Sequence, residues 1–160
     1  MFTVDTPVGP FSVIASGATV LASGFTTDEA ELVRLIHPSL RTGLSPADPV
    51  PIRSAVQAYF SGDVKAIDAV GVRQRSGPFL ERAWEVLRGV HEAVTYTEYA
   101  ERAGNPAAIR AAASACARNA AALFVPCHRV LRLDGSLGGY RWGLPVKRSL
   151  LAWEGLRPGI

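Results

Sequence analysis

The sequence predicts an α/β (α+β) fold in two parts. A small N-terminal α/β domain with an antiparallel sheet is expected over 1–70, then a linker at 71–76. A mostly helical helix-turn-helix domain is expected over 77–160. Three observations carry this. The first 25 residues are short β-branched and aromatic runs punctuated by turns; from 77 onward the apolar spacing is helical; and 48% of the 160 residues are hydrophobic, enough to bury a core.

"FTVDT", "FSVIA" and "TVLASGF" read as strands separated by "PVGP" and "SGA" turns. Thr26 or Thr27 is placed to cap a helix running to about Ile36 and ended by His37–Pro38. A loop with Gly43, Pro46, Pro49 and Pro51 follows. Then Ile52, Val56, Tyr59 and Phe60 fall at helical spacing, with Gly62 near the stop. This half holds no cluster of reactive side chains and reads as a scaffold.

In the second half Ser76 is a candidate cap and Pro78 sits in the first turn of a helix. Phe79, Leu80, Ala83, Trp84, Leu87 and Val90 line its apolar face. "TYTEYAERAG" reads as a short helix ending at Gly104, and "NPAAIRAAASACARN" as a second helix capped by Asn105. Two short helices joined through a glycine turn are the helix-turn-helix pattern. Arg110 and Arg118 stand on a background of alanine and serine, which lets the second helix lie close against another helix or against a DNA groove. "AALFV" and "VLRL" read as strands around a "PCHR" turn, "DGSLGGY" as a glycine-rich turn, and "PVKRSLLAWEG" as a closing helix.

Charge separates the halves. Residues 1–76 carry 6 basic and 7 acidic side chains, whereas 77–160 carry 11 and 7. A basic second half fits either a solvated face or a polyanion partner such as nucleic acid. No apolar run approaches the roughly 20 residues of a membrane span. "MFTVDTPVGP" has neither the basic nor the apolar region of a secretory signal, and two cysteines fit a reducing cytoplasm. The three histidines are far apart and no CxxC pair exists, so no structural zinc site is expected.

"FVPCHRVL" holds the chemistry. Cys127 is either a small buried hydrophobe or a nucleophile with its base, His128, beside it. An imidazole base needs an acceptor to orient it. Glu154 and Asp134 are the acidic residues after 102; Glu154 lies in the closing helix, while Asp134 sits in an Asp-Gly turn. A cysteine peptidase would use a similar trio, but would leave the arginine-bearing helix unexplained.

With these residues collected, the chain resembles the O6-alkylguanine-DNA alkyltransferases, also called methylated-DNA–protein-cysteine methyltransferases. "PCHRV" resembles that family's reactive-site signature, and "TYTEYAERAGNPAAIRAAASACARN" and "DGSLGGYRWGLPVKRSLLAWEG" extend the likeness over about 77–160. The set is most similar to the C-terminal domain of the Ada form. The resemblance implies direct-reversal DNA repair: one molecule transfers one alkyl group, typically methyl, from O6-alkylguanine to Cys127 after the nucleotide is flipped out of the duplex. It further implies that His128, through a water, takes the thiol proton and that Glu154 orients His128. Tyr96 would protonate the departing guanine and crowd the adjacent phosphate. Arg110 would enter the base stack, with Arg118 a further DNA contact, and Asn119 would brace the turn between recognition helix and reactive segment. Val130, Tyr140, Arg141 and Trp142 would line the substrate pocket. A monomer acting on double-stranded DNA, without cofactor, metal or membrane, is the expected form; cooperativity along DNA is left open.

The sequence also departs from the family pattern. "GVHEAV" replaces a Pro-x-Gly turn, Asn119–Ala120 replaces Asn-Pro, and Trp142 stands where many relatives carry glycine. A large indole at the pocket rim should favour methyl over benzyl groups. Cys116 reads as a small packed hydrophobe. The alternatives are a non-catalytic binder of alkylated DNA, which would lack the acceptor cysteine, and a helix-turn-helix transcription regulator, which would need no Cys–His–Glu trio.

Overall fold

A computed structural model describes residues 1–156 of the chain. It divides into two compact units, Met1–Arg75 with Ala120–Phe124, and Ser76–Asn119 with Val125–Ile160; the last four residues fall outside the description.

The first unit is built on a four-stranded sheet, β1 (Phe2–Thr6), β2 (Gly9–Ser16), β3 (Thr19–Gly24) and β4 (Gly71–Val72), in that spatial order. β1–β3 form an antiparallel meander, while β4 joins β3 in parallel. Alternating apolar residues bury Val4, Phe11, Val13, Val20 and Ala22 beneath α1 (Glu29–Val33) and α2 (Pro49–Phe60), which contribute Leu32, Ile52, Val56 and Tyr59. The Phe11 ring lies 4.9 Å from that of Phe25 and 5.9 Å from that of Phe124, centroid to centroid.

Local chemistry moves several expected boundaries. Asp28, not Thr26 or Thr27, caps α1, its carboxylate accepting from Ala30 N at 3.0 Å. Pro49 and Pro51 open α2 rather than lying in the loop before it, because proline costs nothing where the amide has no helical partner. The stretch 71–76, expected as a linker, contains β4. "AALFV" is not a strand: it is a turn with Leu123 at φ 76°, joined to β3 through Ser23 N to Ala120 O (2.8 Å) and Ser23 Oγ to Ala122 O (2.7 Å). An apolar run reports burial, and burial here is reached without a ladder.

The second unit consists of α3 (Pro78–Arg88), β5 (Val94–Thr95), α4 (Tyr96–Arg102), α5 (Ile109–Arg118), β6 (Val130–Leu131) and α6 (Leu144–Trp153). α3 presents Ala83, Trp84 and Leu87 inward and is tied to α4 and α5 by side chain to backbone bonds. Tyr99 Oη donates to Ala83 O at 2.7 Å, and Trp84 Nε1 donates to Ala115 O at 2.8 Å. Neither Ser76 nor Asn105 acts as the expected cap. Gly77 precedes α3 without a capping bond, and the Asn105 side chain accepts from Ala107 N, so 105–108 forms a turn and α5 begins at Ile109. The "VLRL" strand shortens to β6, paired in parallel with β5.

Candidate active site

Cys127 opens a single 3-10 turn, Cys127–Arg129, entered through Pro126 at φ −81°, ψ 63°. The proline withholds an amide, and the chain closes instead through Cys127 N to Val125 O at 2.8 Å and Arg129 N to Pro126 O at 3.0 Å. Cys127, His128 and Arg129 are all buried. Asn119, just past the end of α5, donates Nδ2 to both Val125 O (2.8 Å) and the Cys127 sulfur (3.3 Å). One amide thus links the end of α5 to the thiol.

On α6, Lys147, Leu150, Leu151 and Glu154 follow an i, i+3, i+4, i+7 stripe that ends at the helix C-cap. Glu154 therefore points inward, its side chain 3% exposed. Its Oε2 meets His128 Nε2 at 2.6 Å, and its Oε1 accepts from Arg129 Nε at 2.6 Å; Arg129 also donates to Val90 O. Burial opposes ionisation of this carboxyl, but His128 and Arg129 outweigh it and hold the pKa down to about 2.

That fixes the imidazole. An ionised carboxylate only accepts, so the proton of the His128–Glu154 bond resides on Nε2. Burial keeps the imidazole pKa below its ordinary 6.5 despite Glu154, so the ring is neutral at pH 7 and Nδ1 carries a free lone pair. Nδ1 is buried and has no hydrogen-bond partner among the described residues. Burial pushes the Cys127 thiol up, against the Asn119 bond and the charges of Lys147 and Arg141, so the resting sulfur is protonated. A protonated thiol, an unpaired imidazole nitrogen and an ionised carboxylate are thus all buried in the same unit.

Tyr96 is the first residue of α4, where a capping box sets it: Thr95 Oγ1 accepts from Glu98 N and Glu98 Oε1 from Thr95 N, both at 3.1 Å. Pairing of β5 with β6 brings this helix start beside the reactive turn. Burial, then the nearby Cys116 and Cys127 sulfurs, push the Tyr96 phenol up to about 12, so it remains a proton donor at neutral pH. Gly138, at φ +70°, passes so close that a Cβ there would lie 3.4 Å from the Tyr96 ring and hydroxyl.

On α5, Ala112 and Ala115 face inward, while Arg110, Ala113, Ala117 and Arg118 are exposed at i, i+3, i+7 and i+8. The outer face is thus nearly flat, with an arginine at either end. Arg141 Nη2 donates to Ala117 O at 2.6 Å, complementing the helix C-terminus. Val130 is buried and its carbonyl accepts from Lys147; Tyr140 and Trp142 are half-buried in the loop before α6.

The structure therefore bonds Asn119 to Cys127 and Glu154 to the adjacent His128, with Tyr96, Val130 and Arg141 nearby. Arg110 and Arg118 stand apart on the exposed helix. Asp134 belongs to the turn, its carboxylate accepting from Ser136 N and Oγ. Sequence reasoning passed over Arg129 and Lys147, although a lysine sharing the leucine stripe of α6 is a readable signal. Among the described residues no three His, Cys, Asp or Glu side chains cluster as a metal site, and no helix is long and apolar enough to cross a membrane.

Residues 78–156 match the family model described as 6-O-methylguanine DNA methyltransferase, DNA binding domain. Over 157 residues the chain is 36% identical to the methylated-DNA–protein-cysteine methyltransferase of Mycobacterium bovis, spanning 95% of this chain and 90% of that one. It is 48% identical over 82 residues to the Escherichia coli bifunctional transcriptional activator/DNA repair enzyme Ada; the match spans 50% of this chain but only 23% of Ada. The crystal structure of Mycobacterium tuberculosis OGT in complex with DNA superposes with a TM-score of 0.75 at 30% identity, covering 95% of this chain and 90% of that one.

Proposed function

The chain belongs to the methylated-DNA–protein-cysteine methyltransferase family, and on that premise we propose that it repairs O6-alkylguanine in double-stranded DNA by moving the alkyl group to Cys127. The observation that carries the mechanism is the 2.6 Å His128–Glu154 contact, which leaves the buried Nδ1 of His128 as the base.

The thiol proton passes to Nδ1 through a bridging water, and Glu154 stabilises the imidazolium that forms. The thiolate attacks the alkyl carbon, so an S–C bond forms while the C–O6 bond breaks. The electron pair returns to the guanine, which takes a proton at N3 from Tyr96, and the proton held by the imidazolium, relayed through solvent, restores the phenol. The product is a thioether, and no group in the site can cleave it. Each molecule acts once.

O6 of a stacked, paired guanine cannot reach a buried sulfur, so the nucleotide leaves the duplex first. The small outer face of α5 permits close approach and Arg110 fills the space left in the stack. Arg118 and the rest of the basic second half attract phosphates irrespective of sequence, which suits a lesion found anywhere. Val130, Tyr140, Arg141 and Trp142 surround the flipped base. The same reading places the protein in the cytoplasm, where its two free cysteines stay reduced.

The test is intact-protein mass after mixing with a duplex containing one O6-methylguanine. A gain of one methylene, mapped to Cys127 and absent from Cys127→Ser, is expected. Lesion-selective binding without any gain would make the protein a damage binder instead.

A further inference from the structure

Lys147 has no part in the mechanism above, yet it is among the most buried side chains of the molecule, at 0% exposure. It extends from the leucine stripe of α6 into the loop that follows the reactive turn. There its three ammonium protons meet three carbonyls: Val130 O at 2.7 Å, Leu137 O at 2.5 Å and Gly139 O at 3.2 Å. No carboxylate lies within ion-pair distance among the described residues. Glu154, seven residues further along the same helix, is committed to His128 and Arg129.

A buried cation served only by neutral dipoles is costly. The carbonyls need donors, but a neutral amide could donate to them. What the ammonium adds is charge, and the anion that the reaction creates nearby is the Cys127 thiolate. We propose that Lys147 is a positioning residue for the reaction, its buried ammonium acting as the counter-charge of the Cys127 thiolate while it fixes the 130–139 loop.

This assignment rests on the reading of Cys127 as the nucleophile. It also agrees with the mutual effect of the two groups, since Lys147 works against the burial that pushes the thiol up. The other titratable or charged groups around this sulfur are the adjacent His128 with Glu154, Tyr96 and Tyr99 on α4, Cys116 on α5 and Arg141 in the loop, while Arg132 acts on Tyr96 and Lys147. Lys147 differs from these arginines in being wholly enclosed. Exposed guanidiniums are screened by solvent, whereas buried charges are screened much less.

The experiment is the pH dependence of carboxamidomethylation of Cys127 by iodoacetamide, read by peptide mass so that Cys116 is scored separately. It is run on the wild type, Lys147→Gln and Lys147→Arg, beside the methyl-transfer rate and the affinity for lesion duplex. Lys147→Gln keeps two N–H donors for the three carbonyls and removes the charge. Its thiol titration should move up by about one pH unit, its transfer rate should fall roughly tenfold, and lesion affinity should stay within about twofold. Lys147→Arg should recover the titration. Equal titrations for wild type and Lys147→Gln, or an equal upward shift in both variants, overturn the proposal. If Lys147→Gln fails to fold by circular dichroism, Lys147→Arg decides: a wild-type titration supports the counter-charge, and an upward shift sinks it. Because iodoacetamide needs no DNA, a wild type that transfers no methyl group would refute the repair function while leaving this comparison intact.

Discussion

His128 and Glu154 meet through Nε2 and Oε2 at 2.6 Å, with side-chain exposures of 0% and 3%. The second carboxylate oxygen accepts from Arg129, and together His128 and Arg129 hold the Glu154 carboxyl pKa down to about 2, so it stays ionised. In the proposed mechanism the carboxylate orients the base and stays an anion. Replacing it by Glu154→Gln keeps the shape but leaves Arg129 buried without its counter-ion, a change costing about 3 kcal/mol. The expected outcome is a lower denaturation midpoint together with methyl transfer slowed roughly 100-fold. Chemical denaturation and quenched-flow mass analysis check the two effects separately; unchanged transfer in a folded variant would remove Glu154 from the mechanism.

The same pair sets the acid stability. His128 has a folded pKa below its ordinary 6.5 because it is buried, and Glu154 has one of about 2 against an ordinary 4.5 because His128 and Arg129 outweigh burial. In both cases the unfolded chain binds the proton first, so the stabilisation is whole above the unfolded value and is lost as pH falls through the folded one. Thermal stability should therefore be level just above pH 6.5, begin to decline below it, and decline more steeply below pH 4.5. Melting curves at fixed ionic strength test this, and a midpoint level from pH 7 to pH 4 would contradict it.

How much of this was legible in the sequence depends on the range of the interaction. β1–β3, α3 and α6 follow from patterns within ten or so residues, and the trio of Cys127, His128 and Glu154 follows from residue type. Asn105 misleads because its side chain closes a turn with Ala107, delaying α5 to Ile109. "AALFV" misleads because its partner is Ser23, nearly a hundred residues away, and its form is set by that pairing. Arg129 and Lys147 escaped for a different reason: a charged residue in an apolar stretch declares itself as buried only once its partners are seen.

Asn119 donates one amide to Val125 O and to the Cys127 sulfur. Asn119→Ala removes both bonds. Val125 O keeps the Cys127 amide, so the stability loss should be modest, about 1–2 kcal/mol. The sulfur, however, loses a donor that favours its anion, and its titration should move further up. Slowed methyl transfer with a raised thiol titration is the expected signature, read by the same mass assays. A full-speed variant would reduce Asn119 to a brace.

Arg110 and Arg118 occupy opposite ends of the exposed face of α5, so neither alanine variant should change stability by more than about 0.5 kcal/mol. Their effects on repair should differ. Arg118→Ala, losing a phosphate contact, should lower the salt slope of DNA binding by about one and leave transfer intact at saturating protein. Arg110→Ala should slow transfer even when all the DNA is bound, because the flipped state loses its filler. Binding isotherms across salt concentrations and single-turnover rates separate the two, and identical behaviour would deny Arg110 its place in the stack.

Trp142 is half-buried in the loop that leads into α6, one residue beyond Arg141. In the proposed function this indole stands at the rim of the substrate pocket and narrows the space open to the alkyl group. A methyl group needs little room, whereas seating a benzyl group would require the ring or the loop to move, at about 1–3 kcal/mol. Free O6-benzylguanine should therefore inactivate the wild type slowly, and Trp142→Gly should react with it roughly tenfold faster while methyl transfer from DNA changes little. Second-order rate constants for both substrates on both proteins provide the test. Equal benzyl rates in the two proteins would show that the rim is not set by this side chain, and slower methyl transfer in the variant would mean that the indole supports the reactive geometry rather than restricting it.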